Sequence, residues 1–201
     1  MSTYFTSDLH LGHNRDFIFK NRGFWDITEH DKALISNINS VVTPEDELWI
    51  LGDICFGDTT NRETADYYKN LIKLDCKNVK VILGNHDSKT KSDFYKEFGW
   101  SIEGYSVPFH IGHQAYLLSH YPTLTQNGRY KGVLNLEVIN LYGHTHQQDS
   151  FLSVNGEIQP LSFHIGVDSN DLRPVELSEI RRLVCEKYEE VLKENSENIE
   201  R

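Results

Sequence analysis

The alternation of short apolar runs with helical stretches predicts that this chain of 201 residues folds as a layered α/β protein. The β-prone runs lie at residues 3–6, 48–51, 79–83, 116–118 and 138–142. Hydrophobic residues make up 38% of the chain, enough to build a core and to argue against disorder. The length suits one domain, which we expect to span residues 1–201 without an internal boundary.

Two helices are predicted between the first three apolar runs. Residues 31–42 place their apolar side chains on one helical face, and Thr28 would open an approximate capping pair ahead of them. Residues 60–74 repeat this pattern after a capping box made by Thr60 and Glu63. Both segments are therefore predicted to pack on a sheet.

The rest of the chain continues the same order of elements. A polar stretch at residues 88–92 leads into a short predicted helix that ends near Phe98. Alternating residues between 102 and 118 indicate a hairpin, and residues 178–194 form an amphipathic C-terminal helix. Residues 195–201 are predicted to fray.

Composition limits the classes of function. A formal charge of -10 would repel a polyanion at long range, so binding of extended duplex nucleic acid is not expected. Small phosphorylated substrates remain compatible with this charge, because two divalent cations would add four positive charges locally. The chain begins without a basic region or a long apolar stretch, so we expect no signal peptide or membrane span and a cytoplasmic location.

The three cysteines indicate thiols rather than a structural framework. Cys55, Cys76 and Cys185 are far apart and odd in number, and none is in a Cys-x-x-Cys arrangement. A disulfide scaffold or a zinc ribbon is therefore not expected.

The most informative polar residues occur in five short motifs, and each follows an apolar run. The motifs are Asp8-Leu-His10, Gly52-Asp53, Gly84-Asn85-His86-Asp87, Ser119-His120 and Gly143-His144-Thr145-His146. Side chains that leave neighbouring strand ends meet in one crevice outside a sheet. The motifs therefore predict a shared site for two metal ions.

The spacing and the donor atoms suit metal ligation. Asp8 and His10 are two residues apart, as are His144 and His146, and an extended backbone would point both members of each pair to one side. The carboxylate of Asp53 has two oxygens and is able to bridge two cations. Asn85 would add a neutral carbonyl oxygen and His120 a further imidazole.

In their order, these motifs resemble those of the calcineurin-like metallophosphoesterases over residues 3–167. The resemblance is closest to small bacterial and phage members, through FTSDLHLGH at residues 5–13 and GVDSNDLRP at residues 166–174. It implies a four-layer α/β/β/α sandwich of two mixed sheets flanked by helices, with the metal site at the carboxyl ends of the strands.

The resemblance also implies a role for each motif residue. One metal would be held by Asp8, His10, Asp53 and His146, and the other by Asp53, Asn85, His120 and His144. His86 would be catalytic, because an imidazole beside the phosphoryl group can protonate the leaving oxygen. Asp87 is the residue expected to orient His86. A water or hydroxide shared by the metals would attack phosphorus in line.

The function implied is two-metal-dependent hydrolysis of a phosphate ester, with a phosphodiester or small nucleotide favoured over a simple monoester. A small oligonucleotide stays open as a substrate. Mn²⁺ is the favoured metal, and Fe, Ni²⁺, Co²⁺ and Zn²⁺ are alternatives, because mixed oxygen and nitrogen donors suit all of them. The alternative function is a catalytically silent protein-interaction module on the same scaffold. Retention of His86 and of every ligand favours the enzyme. Oligomeric state is not encoded in these patterns.

Residues outside the five motifs are further candidates. Arg22 is a candidate to clamp a substrate phosphate through its planar guanidinium, with an exposed arginine as the alternative. Arg129 and Tyr121 are weaker candidates for the same role. Asp168 and Arg173 are expected to form a structural ion pair.

Overall fold

The computed structural model describes residues 1–123 and 138–199 of the chain. In this part of the chain, ten strands form two mixed five-stranded sheets, and helices flank them. The predicted sandwich of two mixed sheets flanked by helices is confirmed.

The first sheet is built mainly from the N-terminal half of the chain. Its strands are β1 (Thr3–Thr6), β2 (Glu47–Leu51), β3 (Asn78–Ile82), β4 (Ser101–Gly104) and β10 (Val175–Glu176). Their order is β10-β1-β2-β3-β4, with β10 antiparallel to β1 and the other pairs parallel. The strands predicted at 3–6, 48–51 and 79–83 lie within one residue of β1, β2 and β3.

Both faces of this sheet are covered, which explains why its strands read as continuous apolar runs. Along β2, Leu48 and Ile50 enter one apolar cluster, whereas Trp49 and Leu51 enter a second cluster on the opposite face. This alternation is the two-residue period of a strand.

The second sheet contains the remaining strands. They are β5 (Ser106–Ile111), β6 (Gln114–Ser119), β7 (Val138–Tyr142), β8 (Phe151–Val154) and β9 (Glu157–His164). Their order is β5-β6-β7-β9-β8, with antiparallel β5–β6 and β8–β9 pairs and parallel pairs in the middle. The predicted hairpin is shorter than expected, because Ile102 lies in β4 of the first sheet and only β5 and β6 form the hairpin.

Five helices complete the described chain: α1 (Asp16–Phe19), α2 (Ile27–Val41), α3 (Arg62–Leu71), α4 (Lys89–Lys96) and α5 (Leu177–Ile199). Two predicted caps are wrong. Asp26, not Thr28, accepts from the N–H of Glu29 at the start of α2, and Asn61, not Thr60, accepts from the N–H of Thr64 in α3. The capping residue is the one whose side chain reaches the backbone N–H of the third helical residue. Both helices begin at a different residue from the one predicted, so a different side chain caps each of them. The C-terminal helix α5 continues to Ile199, beyond the predicted end at residue 194.

Two apolar clusters hold the layers together. One packs α2, α3 and α4 against the outer face of the first sheet, through residues such as Leu34, Ile38, Tyr68, Phe94 and Tyr95. The other joins residues of both sheets and of α5, including Phe5, Ile82, Leu118, Phe163 and Ile180. The sheets therefore share a core, and the carboxyl ends of β1, β2, β3, β6 and β7 lie beside one cavity.

Candidate metal centre

All seven predicted metal ligands follow a strand at its carboxyl end. The first sheet contributes Asp8, His10, Asp53 and Asn85, and the second contributes His120, His144 and His146. Most of them line a cavity of about 500 Å³. The donor atoms from the two sheets therefore meet at one place.

The first group of donor atoms fits a single cation. His10 Nε2 lies 3.0 Å from His146 Nε2 and 3.5 Å from Asp53 Oδ2. Asp8 Oδ1 lies 3.8 Å from His146 Nε2. Atoms that are each about 2.1 Å from one cation lie roughly 3 Å or more apart, so these separations suit shared ligation.

A second group forms around the other side of Asp53. Its Oδ2 lies 3.5 Å from His120 Nε2, which is 3.0 Å from the Oδ1 of Asn85. The ring of His144 is 5.1 Å from the ring of His120, measured between centroids. Asp53 therefore belongs to both groups of donor atoms.

Hydrogen bonds leave the Nε2 atoms of two histidines available as ligands. His120 Nδ1 donates to the carbonyl of Leu51 at 2.8 Å, and His146 Nδ1 lies 2.8 Å from Asp168 Oδ2. A partner at Nδ1 places the proton there and leaves Nε2 unprotonated, which is common for metal-binding histidines.

The pKa values of Asp53 and His10 agree with a cation site. Burial opposes ionisation of Asp53, but contact with His120 and the N–H of His86 outweigh it and lower the pKa of Asp53 to about 2. Burial and the neighbouring His146 lower the pKa of His10 to about 2. An ionised carboxylate and a neutral imidazole are the forms that bind metals. Burial raises the pKa of Asp8, so a nearby positive charge would stabilise its ionised form.

The backbone brings these side chains together in a way that the sequence interpretation missed. Asp8, His10, Asp53, His144 and His146 have φ angles of 59°, 48°, 54°, 71° and 49°. The expectation of extended backbone at the pairs Asp8/His10 and His144/His146 is therefore wrong, because all four residues have left-handed backbone. Such backbone persists only where the surroundings enforce it, and it clusters at functional sites.

Backbone hydrogen bonds enforce this conformation. Asp8 N–H donates to the carbonyl of Gly52 at 3.1 Å, and His10 N–H donates to that of Asp53 at 2.9 Å. Gly84 approaches the same loop closely, since a Cβ at this position would lie 2.8 Å from the backbone nitrogen of Asp53. A residue other than glycine at position 84 would displace Asp53.

The predicted catalytic residue, His86, lies at the edge of the cavity. Its side chain is 37% exposed, and its Nε2 is 3.9 Å from Asp53 Oδ2. Its backbone N–H donates to Asp53 Oδ1 at 2.9 Å. The imidazole is therefore open to solvent and close to the shared carboxylate.

Asp87 does not act on the imidazole of His86 as predicted. Its Oδ2 accepts from the backbone N–H groups of Asp53 and Gly84 at 2.7 and 2.9 Å, and its Oδ1 accepts from the Tyr95 hydroxyl at 2.7 Å. A carboxylate that faces two amide donors is committed to the backbone. Asp87 therefore fixes the loops after β2 and β3 to each other.

Arg22 has no donor left for a substrate phosphate. Its guanidinium is buried and forms a bidentate pair with Asp168, with both N···O distances 2.8 Å. The remaining N–H groups face the carbonyls of Leu9 and Asp8 and the Nε2 of His30. Both the predicted phosphate clamp and the exposed alternative disagree with this arrangement.

The same contacts change the interpretation of Asp168. It pairs with Arg22 and His146 and not with Arg173, because the turn after β9 directs its carboxylate toward the metal ligands. Arg22 and His146 lower its pKa despite burial. Its place in the GVDSNDLRP segment was the only sequence signal for this role.

Two further candidates remain. Tyr121 is half exposed, with its ring 4.6 Å from the ring of His144. Arg129 lies outside the residues that the structure describes.

Removal of metal is expected to lower thermal stability. Ligands from both sheets would be joined by the bound cations, and a ligand at about 100 times its Kd adds about 2.7 kcal/mol to the free energy of unfolding. For a chain of this size the gain corresponds to a Tm rise of about 5–10 °C. Differential scanning calorimetry of the chelated and Mn²⁺-loaded protein measures this difference. An identical Tm at saturating metal would contradict ligation across the two sheets.

The chain was also compared with known proteins. The calcineurin-like phosphoesterase superfamily domain matches residues 1–159. The Gene 66 protein of Mycobacterium phage L5 is 34% identical, over 94% of this chain and 97% of its own length. The Gene 66 protein of Mycobacterium phage D29 is 31% identical, over 91% and 96%.

A solved structure shares the fold. A protein of unknown function from Aquifex aeolicus is 24% identical, over 90% of this chain and 98% of its own, with a TM-score of 0.60. None of the helices among residues 1–123 and 138–199 has the length and apolar character needed to cross a membrane. The match over most of the chain, together with the clustered Asp and His donors, shows that this chain belongs to the calcineurin-like phosphoesterase superfamily.

Proposed function

We propose that this protein hydrolyses phosphate esters with two divalent metal ions held by the seven residues described above. The single observation that carries the proposal is the position of Asp53, whose Oδ2 lies between His10 and His120, at 3.5 Å from each. Bound cations would offset the charge of the phosphate and acidify a water for attack. Membership of the superfamily supports the same reaction class.

His86 is the residue that we propose to assist the leaving group. Its exposed imidazole faces the cavity, and its Nδ1 has no hydrogen-bond partner among the described residues. A protonated imidazole there could give its proton to the leaving oxygen as the P–O bond breaks. His10, His120 and His146 are less suited to this role because their ring nitrogens face other site residues.

The cavity wall supports an ester with a planar substituent. Phe17 is 61% exposed and places its ring edge-on to His13, with 5.7 Å between centroids. His13 in turn stacks on Phe56 at 3.9 Å, with an interplanar angle of 2°. We call these three residues the aromatic wall. Phe17 and His13 line the cavity, and Phe56 lies behind His13 with its ring 5.8 Å from the ring of His86, so the wall offers a surface for a nucleobase or an aryl group.

Substitution of Phe17 tests this preference. Phe17→Ala is expected to raise KM for a nucleoside phosphodiester by about 5-fold, because stacking on an aromatic ring contributes about 1–3 kcal/mol per base and Phe17 is largely exposed. A dialkyl phosphodiester should show an unchanged KM. Phe17→Tyr is the matched control, since it keeps the ring. Equal changes in KM for both substrates would argue against the aromatic wall.

The function itself is tested by a screen of the metal-loaded protein. Mn²⁺, Fe²⁺, Co²⁺, Ni²⁺ and Zn²⁺ forms are assayed on phosphomonoesters, phosphodiesters, cyclic nucleotides and short oligonucleotides, with metal content measured by elemental analysis. We expect the highest kcat/KM for a phosphodiester or small nucleotide with Mn²⁺. Binding of two metals without turnover of any ester would instead favour the silent interaction module.

A further inference from the structure

Lys91 is a buried cation that the reaction proposed above does not use. It lies in α4 and is only 6% exposed. Its Nζ donates to the carbonyl of Cys55 at 2.6 Å and to the carbonyl of His86 at 2.8 Å. The first carbonyl belongs to the loop that carries Asp53, and the second belongs to His86 itself.

Two side chains therefore connect the loop after β2 to the loop after β3. Asp87 accepts the backbone N–H groups of Asp53 and Gly84, and Lys91 donates to the backbone carbonyls of Cys55 and His86. One joint is an anion that faces amide donors, and the other is a cation that faces carbonyl acceptors. Together, Asp87 and Lys91 hold a backbone N–H group and a backbone carbonyl of each loop.

Helix α4 contributes to both connections, because it carries Lys91 and also Tyr95, which contacts Asp87. Lys91 and Tyr95 are one turn apart and lie on the same face, and the Tyr95 hydroxyl donates to Asp87 at 2.7 Å. Ser88 caps the helix by accepting from the N–H of Lys91, so the start of α4 is fixed beside the loop that it supports. Lys91 Nζ also lies 5.9 Å from the ring centroid of Phe56 in the aromatic wall.

Energetics argue against Lys91 as a simple packing residue. Removing a charged amino group from water is costly unless hydrogen bonds replace the lost solvation, and an apolar side chain of similar length would fill the same space without that cost. Its two bonds instead satisfy carbonyls at points where the chain has left the sheet. The benefit of burying Lys91 is therefore that it fixes the geometry of the loops after β2 and β3.

We propose that Lys91 is a positioning residue that holds His86 at the edge of the metal cavity. By binding the carbonyl of His86, it fixes the peptide from which the imidazole extends, and so keeps Nε2 close to Asp53. This inference rests on the proposed function, because it assigns Lys91 to the step that His86 assists. A misplacement of about 1 Å at a reacting group can cost about 100-fold in rate.

The test compares Lys91→Met with Lys89→Met. Methionine keeps the unbranched stem and removes the donors, whereas Lys89 is an exposed lysine of the same helix and serves as the matched control. Lys91→Arg, which retains donors, is the conservative variant. Each is made in the wild-type protein and in the His86→Ala background.

The kinetic readout is the dependence on the leaving group. Lys91→Met is expected to lower kcat about 10- to 100-fold for an alkyl or nucleoside phosphodiester and less than about 3-fold for a p-nitrophenyl ester, whose leaving group needs no proton. Metal content should stay at the wild-type level. In the His86→Ala background, Lys91→Met should change kcat less than about 2-fold, since residues that act through one another are not additive. Lys91→Arg should restore most of the loss.

A second readout does not depend on turnover. With the protein in its diamagnetic Zn²⁺ form and ¹³C at the histidine Cε1 atoms, the NMR signal of His86 is assigned by its loss in His86→Ala. Lys91→Met should shift or broaden this signal, whereas Lys89→Met should leave it unchanged. If the wild-type protein hydrolysed no ester, the proposed function would fail, but the NMR comparison would still decide whether Lys91 positions His86.

Three results would overturn the inference. They are an unchanged His86 signal in Lys91→Met, equal losses of kcat for both leaving groups, and a full additional loss in the His86→Ala background. If Lys91→Met does not fold, Lys91→Gln, whose shorter side chain cannot reach both carbonyls, provides the same comparison. It should shift the His86 signal and lower kcat for the unactivated ester, and an unchanged signal in the folded, metal-loaded variant would contradict the proposal.

Discussion

Replacement of His86 by alanine is expected to lower kcat for an unactivated phosphodiester by about 10²- to 10⁴-fold, while both metal ions remain bound. The reason is that the imidazole lies at the cavity edge, 37% exposed, and is close to the shared carboxylate without being enclosed by other ligands. Its loss removes proton transfer to the leaving oxygen. A p-nitrophenyl ester, which departs without a proton, should lose far less.

The geometry also leaves a ligand role open to test, because His86, His10 and Asp53 have donor atoms close enough to hold one ion. Elemental analysis of His86→Ala separates the two roles. Loss of one metal per chain would make His86 a ligand, and unchanged kcat on the unactivated ester would remove its assigned role altogether. His113→Ala is the control, since His113 lies exposed at the turn between β5 and β6.

Asp53→Asn is expected to reduce metal content from two ions per chain to less than one. The Asp53 carboxylate lies 3.5 Å from both His10 and His120, so one residue serves both donor groups. The substitution removes its negative charge. It also puts an amide nitrogen, which cannot ligate, toward the two histidines, because Oδ1 must still accept from the N–H of His86.

Metal content by elemental analysis and turnover with a phosphodiester measure this effect together. Asp16→Asn is the matched control, since Asp16 is an exposed carboxylate whose ion-pair partner among the described residues is Lys20, directly after α1. Two ions per chain in Asp53→Asn, with normal Mn²⁺ affinity, would show that the carboxylate is not a bridging ligand.

The convergence of the ligands could be predicted from the sequence because it depends on strands and their order. An apolar run followed by Asp53, or by His120, marks the carboxyl end of a buried strand, and the parallel strands of each sheet place such ends at one edge of that sheet. The alternation of Leu48, Trp49 and Ile50 between two apolar clusters follows from the same strand period.

The detailed geometry could not be predicted, because it depends on contacts between residues far apart in the chain. The sequence predicts extended backbone at Asp8 and His10. Hydrogen bonds to Gly52 and Asp53 instead hold both residues in the left-handed conformation. Arg22 was weighed as a substrate clamp or an exposed residue, whereas Asp168, 146 positions away, takes up its guanidinium. No local pattern encodes such a partner.

The burial of Lys91 could not be predicted from the sequence either. In the sequence it belongs to a polar stretch that read as a loop, and its burial follows only from the start of α4 at Lys89 and from the packing of that helix beneath the site. A lysine is usually exposed, so composition and periodicity assign it to the surface.

Because five proposed ligands have left-handed backbone, selection for thermal stability would oppose selection for turnover. A residue other than glycine in a rarely populated conformation costs about 1–3 kcal/mol, and the chain accepts this cost at Asp8, His10, Asp53, His144 and His146. At His144, which is exposed, glycine would relieve the cost while keeping the N–H that donates to Asp8. A search for heat-resistant variants of the metal-free protein would therefore favour changes at the positions of the proposed metal centre, and thermal stability would improve as the proposed activity was lost.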